Sequence, residues 1–121
     1  MGKYVDGFVL PVPTANLEKY REMAQKAGEI WMEHGALGFY ECVGDDLNIE
    51  GVVSFNTLAG PKEDETVMFS YIVYESREHR DKVNEAVMKD PRLGADMEKT
   101  REIFDCTRMA YGGFKTLVEL E

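Results

Sequence analysis

The chain has 121 residues, 44% of them hydrophobic, the usual size of one domain and enough to bury roughly two thirds of its unfolded surface in a single core. Acidic residues outnumber basic ones 23 to 14, for a formal charge of −9, and no cluster of Lys or Arg breaks that excess. Phosphate backbones and anionic membranes would be repelled, so neither nucleic acid nor a membrane is an expected partner, and the charge reads as a solubilising surface.

The start, MGKYVDGFVLPVP, lacks the apolar centre of a signal peptide, and Asp6 stands where a myristoylation signal has Ser or Thr. No apolar run approaches the roughly 18 residues that span a bilayer. Cys42 and Cys106 lie far apart without metal-like spacing, so two reduced thiols and a cytoplasmic location are expected, with Cys42 a small buried hydrophobe.

Tyr4 to Leu10 is a short apolar strand that Pro11 and Pro13 are expected to stop. Thr14 or Asn16 can cap a helix in which Leu17, Tyr20, Met23, Ala24, Ala27, Ile30, Trp31 and His34 recur at helical spacing, and Gly35 closes it. A second strand runs from Leu37 to Val43, with a turn cluster at Gly44-Asp45-Asp46. Leu47 to Glu65 reads as an arm or hairpin: Ile49, Val52, Val53 and Phe55 suggest an extended excursion, and Gly60-Pro61 a loop.

The strand from Thr66 to Tyr74, TVMFSYIVY, is apolar on both sides. Val67, Phe69, Tyr71 and Val73 line one face, and Met68, Ile72 and Tyr74 line the other around Ser70. Ser76 can cap a second helix to about Lys89, with Val83, Ala86 and Val87 inward and Asp90-Pro91 as the stop. A shorter helical piece follows, with Leu93, Met97, Ile103 and Phe104 as apolar contacts. The last strand is expected from about Arg108 to Leu120, where Gly112-Gly113 marks a bulge or a close backbone approach.

Strand, helix, strand, then strand, helix, strand is the split βαβ order of the ferredoxin-like α+β fold, a single domain over residues 1–121 with both helices on one face of an antiparallel sheet. The other face would then expose an apolar patch larger than single soluble chains usually carry. A two-fold homodimer packing sheet on sheet into an α/β barrel is the simplest closed solution, with the Leu47 to Glu65 arm available to reach across. In the alternative, that loop folds over its own sheet.

Three blocks of the chain, YVDGFVLPVP at Tyr4 to Pro13, DETVMFSYIVYESREHRDKVNEAVMKDPR at Asp64 to Arg92 and RMAYGGF at Arg108 to Phe114, resemble the YbaA-like family of small bacterial proteins of unknown function. The resemblance covers nearly the whole chain. It implies membership of the dimeric α/β-barrel superfamily, which includes cofactor-independent monooxygenases, muconolactone-isomerase-like enzymes, haem-binding proteins and stress-responsive proteins. The family brings no established activity, so it implies no catalytic residue, and fold alone does not decide function.

Polar residues set into apolar strands are the leads for a small-molecule site. Asp6 and Glu41 could converge between sheet and helices, where a carboxylate with a raised pKa can act as a general base on an acidic C–H or O–H. The structural alternative is that each pairs with Arg108, Lys115 or a loop amide. His34 could act as a proton shuttle or an axial haem ligand, or merely satisfy the carbonyls at its helix end. His79 is expected to face solvent, and two histidines so far apart make no metal site. Tyr20, Trp31, Tyr40, Tyr71 and Tyr111 could wall an aromatic pocket or serve as packing, and Ser70 would join the pocket. No motif calls for a cofactor. The two functional readings are a binder or enzyme of the cofactor-independent monooxygenase or isomerase type, and a non-catalytic homodimer with a stress-response or accessory role.

Overall fold

The computed structural model describes residues 2–95 and 97–121. Strand β1 (Tyr4–Pro13) leads through a 3-10 turn into helix α1 (Leu17–Glu33), then β2 (Gly38–Val43), the short α2 (Phe55–Ala59), β3 (Glu65–Tyr74), α3 (Arg77–Met88), α4 (Pro91–Ala95), α5 (Met97–Ile103) and β4 (Ala110–Lys115). The strands form one antiparallel sheet in the order β2-β3-β1-β4, which is the ferredoxin-like arrangement.

The prolines do not end β1, although it is a central strand. Thr14 N–H donates to Asp64 O on the β3 side, so the alternation of the strand turns positions 11 and 13 toward β4. Pairing with β4 stops at Val9, opposite Ala110, and the missing N–H groups of Pro11 and Pro13 therefore deprive no ladder. Helix α1 ends as its sequence dictates, at Gly35 with φ +111°. Its start differs: Asn16 caps with its backbone only, and its side chain instead donates to Ile103 O. Ser76 caps α3 by accepting from His79 N–H.

One face of the sheet is covered by α1 and α3, and the buried side chains there fall into two groups. Tyr4, Ile30, Ile72, Tyr74, Val83 and Val87 fill one end. Leu10, Val12, Tyr20, Ala24, Met68 and Phe104 fill the other. The opposite face follows the predicted alternation, with Phe69 and Tyr71 on it, but the segment before β3 departs from expectation. Instead of a hairpin it forms the α2 turn, capped by Ser54 and closed by Gly60 at φ +58°. This turn lies over one corner of the outer face, where Ala59 and Val67 are buried and Phe55 meets Phe69 edge-on at 6.0 Å. Beyond that corner Phe69, Tyr40 and Phe114 remain 42%, 51% and 64% exposed.

β4 is shorter than predicted because its partner runs out: Lys115 already pairs with Tyr4, the first residue of β1. Arg108 falls in a 3-10 turn capped by Asp105. The helical piece after α3 divides into α4 and α5, and the predicted contact of the Met97 side chain lies outside the described residues. His79 is half-buried rather than solvent-facing, with its Nδ1 accepting from Glu75 N–H and its ring against Tyr74. Cys42 is exposed on the outer face of edge strand β2, contrary to expectation.

The glycine pair in β4 does mark a close approach, since a Cβ at Gly113 would lie 2.2 Å from the Tyr4 hydroxyl and 2.8 Å from its ring. Tyr4 is buried and bonded to Arg80, so it cannot swing away freely. Gly113→Val is expected to lower stability by about 1–3 kcal/mol. Urea unfolding checks this: the midpoint falls with an unchanged slope, and an unmoved midpoint would contradict the packing described.

Candidate functional site

Between the two core groups lies a cavity of ≈340 Å³ bounded by the sheet, α1 and α3. Its walls are chiefly apolar, including Phe8, Met23, Trp31, Ile72, Phe104 and Met109, and both predicted carboxylates, Asp6 and Glu41, line it. The register explains the convergence. Asp6 faces Ile72 and Gly113 across β1, while Glu41 on β2 faces Ser70 on β3, which faces Phe8 on β1. Two strand spacings and a two-residue offset put the Asp6 and Glu41 Cα atoms roughly 12 Å apart on the same side of the sheet.

Asp6 is 1% exposed and is held from α3 rather than by Arg108 or Lys115. Arg80 Nη1 lies 3.4 Å from Asp6 Oδ1, within ion-pair range but without hydrogen-bond geometry, so that oxygen carries no hydrogen bond. Tyr111 donates to Asp6 Oδ2 at 3.2 Å, and Arg80 donates in turn to Tyr111 and Tyr4. One turn along α3, Asn84 Oδ1 accepts from Trp31 Nε1 and from the Tyr74 hydroxyl, each at 3.1 Å. Burial pushes the Asp6 carboxyl above its ordinary value; the Arg80 charge and then the hydrogen bond from Tyr111 oppose that shift.

Glu41 has a different environment. Its residue as a whole is solvent-accessible because β2 is an edge strand, yet its carboxylate head turns inward, and the head governs its ionisation. Oε1 accepts from the Tyr20 hydroxyl at 2.8 Å and from Ser70 Oγ, while among the described residues no hydrogen bond reaches Oε2. No cation among the described residues pairs with it. Burial raises its pKa, and the Ser70 and Tyr20 hydrogen bonds only partly offset this. Burial and the Glu41 charge together hold the Tyr20 phenol well above its ordinary value, keeping it a proton donor. Glu41, Tyr20, Ala24 and Phe39 also border an open groove between α1 and the β2 edge, so the cavity reaches solvent on that side.

Asp6, Glu41, Trp31, Ser70 and Tyr111 are thus brought together, and two expected residues are not. Tyr71 lies on the opposite face, stacked on Tyr40 at 4.7 Å, because residue 71 alternates away from Ser70 and Ile72. His34 sits at the end of α1, outside the cavity, with Nε2 2.9 Å from Asp90 Oδ2. Arg80 and Asn84 were missed by sequence reasoning. Their signal is that they share the inward stripe of α3 with Val83 and Val87, two polar residues at positions that otherwise read as core. No group of His, Cys, Asp and Glu among the described residues could hold a metal ion.

Chemically, the site can accept a proton at Glu41 and donate hydrogen bonds around it. A carboxyl raised by folding binds more protons in the folded than in the unfolded state. Its contribution therefore lowers stability as pH rises through the interval from the ordinary value, 4.5 for glutamate, to the raised one. Glu41→Gln removes that contribution while its amide oxygen still accepts from Tyr20 and Ser70. Chemical denaturation is expected to find the variant gaining stability relative to wild type as pH rises above the ordinary glutamate value of 4.5. A difference that is constant or moves the other way would contradict the environment assigned to Glu41.

The chain resembles solved structures across its whole length. A dimeric ferredoxin-like protein from an uncultured marine organism superposes with a TM-score of 0.62 at 11% identity, covering 100% of this chain and 93% of the other. A second protein of the same description and source gives 0.57 at 13% identity, covering 100% and 99%. These matches show the fold. In sequence the chain is 43% identical over 117 residues to the uncharacterized protein YbaA of Escherichia coli K12, covering 97% of this chain and 98% of that one, and equally to YbaA of Shigella flexneri. Residues 3–106 match the family described as "Protein of unknown function (DUF1428)". The chain belongs to that family, a ferredoxin-like α+β family whose function has not been assigned.

Proposed function

We propose that the protein is a cytosolic homodimer that binds a small molecule in the cavity between its sheet and helices. The observation that carries this reading is the cavity itself: ≈340 Å³ of chiefly apolar space into which two carboxylates on different strands converge. A purely structural subunit gains nothing from such a void, because an unfilled core costs stability and a buried carboxylate costs more. Isomerisation or deprotonation of an acidic ligand at Glu41 is the catalytic form of the same reading, favoured by the raised pKa of that carboxyl. The accessory-protein alternative would be favoured by a fully packed interior.

The dimer is supported by the exposed aromatic surface of the outer sheet face at Tyr40, Phe69 and Phe114 and by the dimeric state of the ferredoxin-like neighbours. Ile49, Val52, Val53 and Leu58, all more than half exposed, lie in the segment flanking that face and supply further apolar area for a partner copy. The cytosolic location rests on two exposed, unpaired thiols at Cys42 and Cys106.

Phe69→Asp and Tyr71→Asp would each force an unpaired charge into the sheet interface and weaken the dimer by about 3 kcal/mol or more, roughly a hundredfold in Kd. Size-exclusion light scattering should find monomers at micromolar concentration, and an unchanged dimer in both variants would exclude this interface. For the cavity, a fluorine NMR screen of small aromatic fragments should give hits on the wild type that disappear in Ala27→Leu, which adds bulk to the cavity wall. Hits that persist in that variant, or none on the wild type, would remove the ligand site.

A further inference from the structure

We infer that the ligand of this cavity is a small organic cation, an amine or ammonium carried on an apolar, aromatic-sized body. The inference rests on the cavity being a ligand site and follows from a count of its donors and acceptors. Four of the side-chain donors on its walls are already committed to protein acceptors. Tyr20 and Ser70 donate to Glu41, Tyr111 donates to Asp6, and Trp31 donates to Asn84. Tyr74 beside them also donates to Asn84. Arg80 does not line the cavity; its Nη groups turn to Tyr111, Tyr4 and Asp6, while its buried Nε, although 3.1 Å from Asp81 Oδ1, makes no hydrogen bond to the described residues.

Two carboxylate oxygens at the cavity are left without a donor among the described residues. Asp6 Oδ1 is buried with no hydrogen bond, and Glu41 Oε2 receives none from the described residues. A ligand that completes the site must bring donors and not acceptors, because an acceptor would meet lone pairs in a low-dielectric space. Charge points the same way. Asp6 has Arg80 as its counter-ion, but Glu41 has none among the described residues, so an ammonium group would supply the missing positive charge. The walls suit such a group, since Phe8, Trp31 and Phe104 present aromatic surfaces that attract cations, and Met23 and Met109 add polarizable sulfur. The net charge of −9 favours the approach of cations and opposes that of anions.

The test uses three probes of matched size on the intact protein: 2-phenylethylamine, 2-phenylethanol and phenylacetate, titrated by NMR. The amine should bind at least about tenfold tighter than the alcohol, the worth of one charge-assisted hydrogen bond, and phenylacetate should not bind. Glu41→Gln should abolish the preference for the amine over the alcohol, and an unchanged far-UV circular dichroism spectrum and urea midpoint report that the variant is folded. Ala27→Leu should weaken both. Equal binding of amine and alcohol, or preference for phenylacetate, overturns the cation assignment while the cavity remains a ligand site. Failure of all three probes on the wild type, or their undiminished binding to Ala27→Leu, overturns the cavity reading as well.

Discussion

A carboxylate on the central strand of a sheet, sealed beneath a helix, has to be compensated from that helix, and Asp6 organises much of this protein through that requirement. Arg80 comes down from α3 to meet it, Tyr111 reaches it from β4, and Arg80 also bonds Tyr4 at the start of β1. Asn84, one turn further along α3, ties the same helix to Trp31 of α1 and Tyr74 of β3. The buried charge thereby ties α3 to the sheet, and Asn84 on the same helix ties α3 to α1.

The opposite face obeys a different constraint. β3 is apolar on both sides, and the helices can cover only one of them. The α2 turn shields Val67 and leaves the aromatic stretch of Phe69, Tyr71 and Tyr40 uncovered. The two faces therefore differ: the helix side holds polar groups around a cavity that opens toward the β2 edge, and the outer side is a broad apolar surface.

Much of this architecture is legible in the residues. The two-sided apolar pattern of TVMFSYIVY, the caps at Ser76 and Gly35 and the strand–helix order suffice for the fold, because each is a local preference that the global topology does not override. Three features are not legible. Pro11 and Pro13 look like strand breakers until the length of β4 is known, since only the register says which edge lacks a neighbour. Ser54 and Gly60 bracket a helical turn too short for periodicity to reveal. Tyr71 was expected in the pocket as an aromatic, although its own parity with Phe69 assigns it to the outer face.

At the candidate site the split is similar. Asp6 and Glu41 stand out because a carboxylate in an apolar strand needs an explanation, and both line the cavity. Their different partners belong to tertiary structure: Arg80 is 74 residues from Asp6, counting along the sequence, and nothing local marks the pairing. His34 looks chemically promising through the stripe it shares with Trp31, yet at the end of α1 it pairs with Asp90 instead. The most direct measurement is a high-resolution crystal structure of the purified protein. The account predicts an open cavity with Glu41 turned inward onto Tyr20 and Ser70, and Asp6 beside Arg80. A collapsed interior, with Trp31 and Met23 filling that space and Glu41 rotated into solvent, would contradict it.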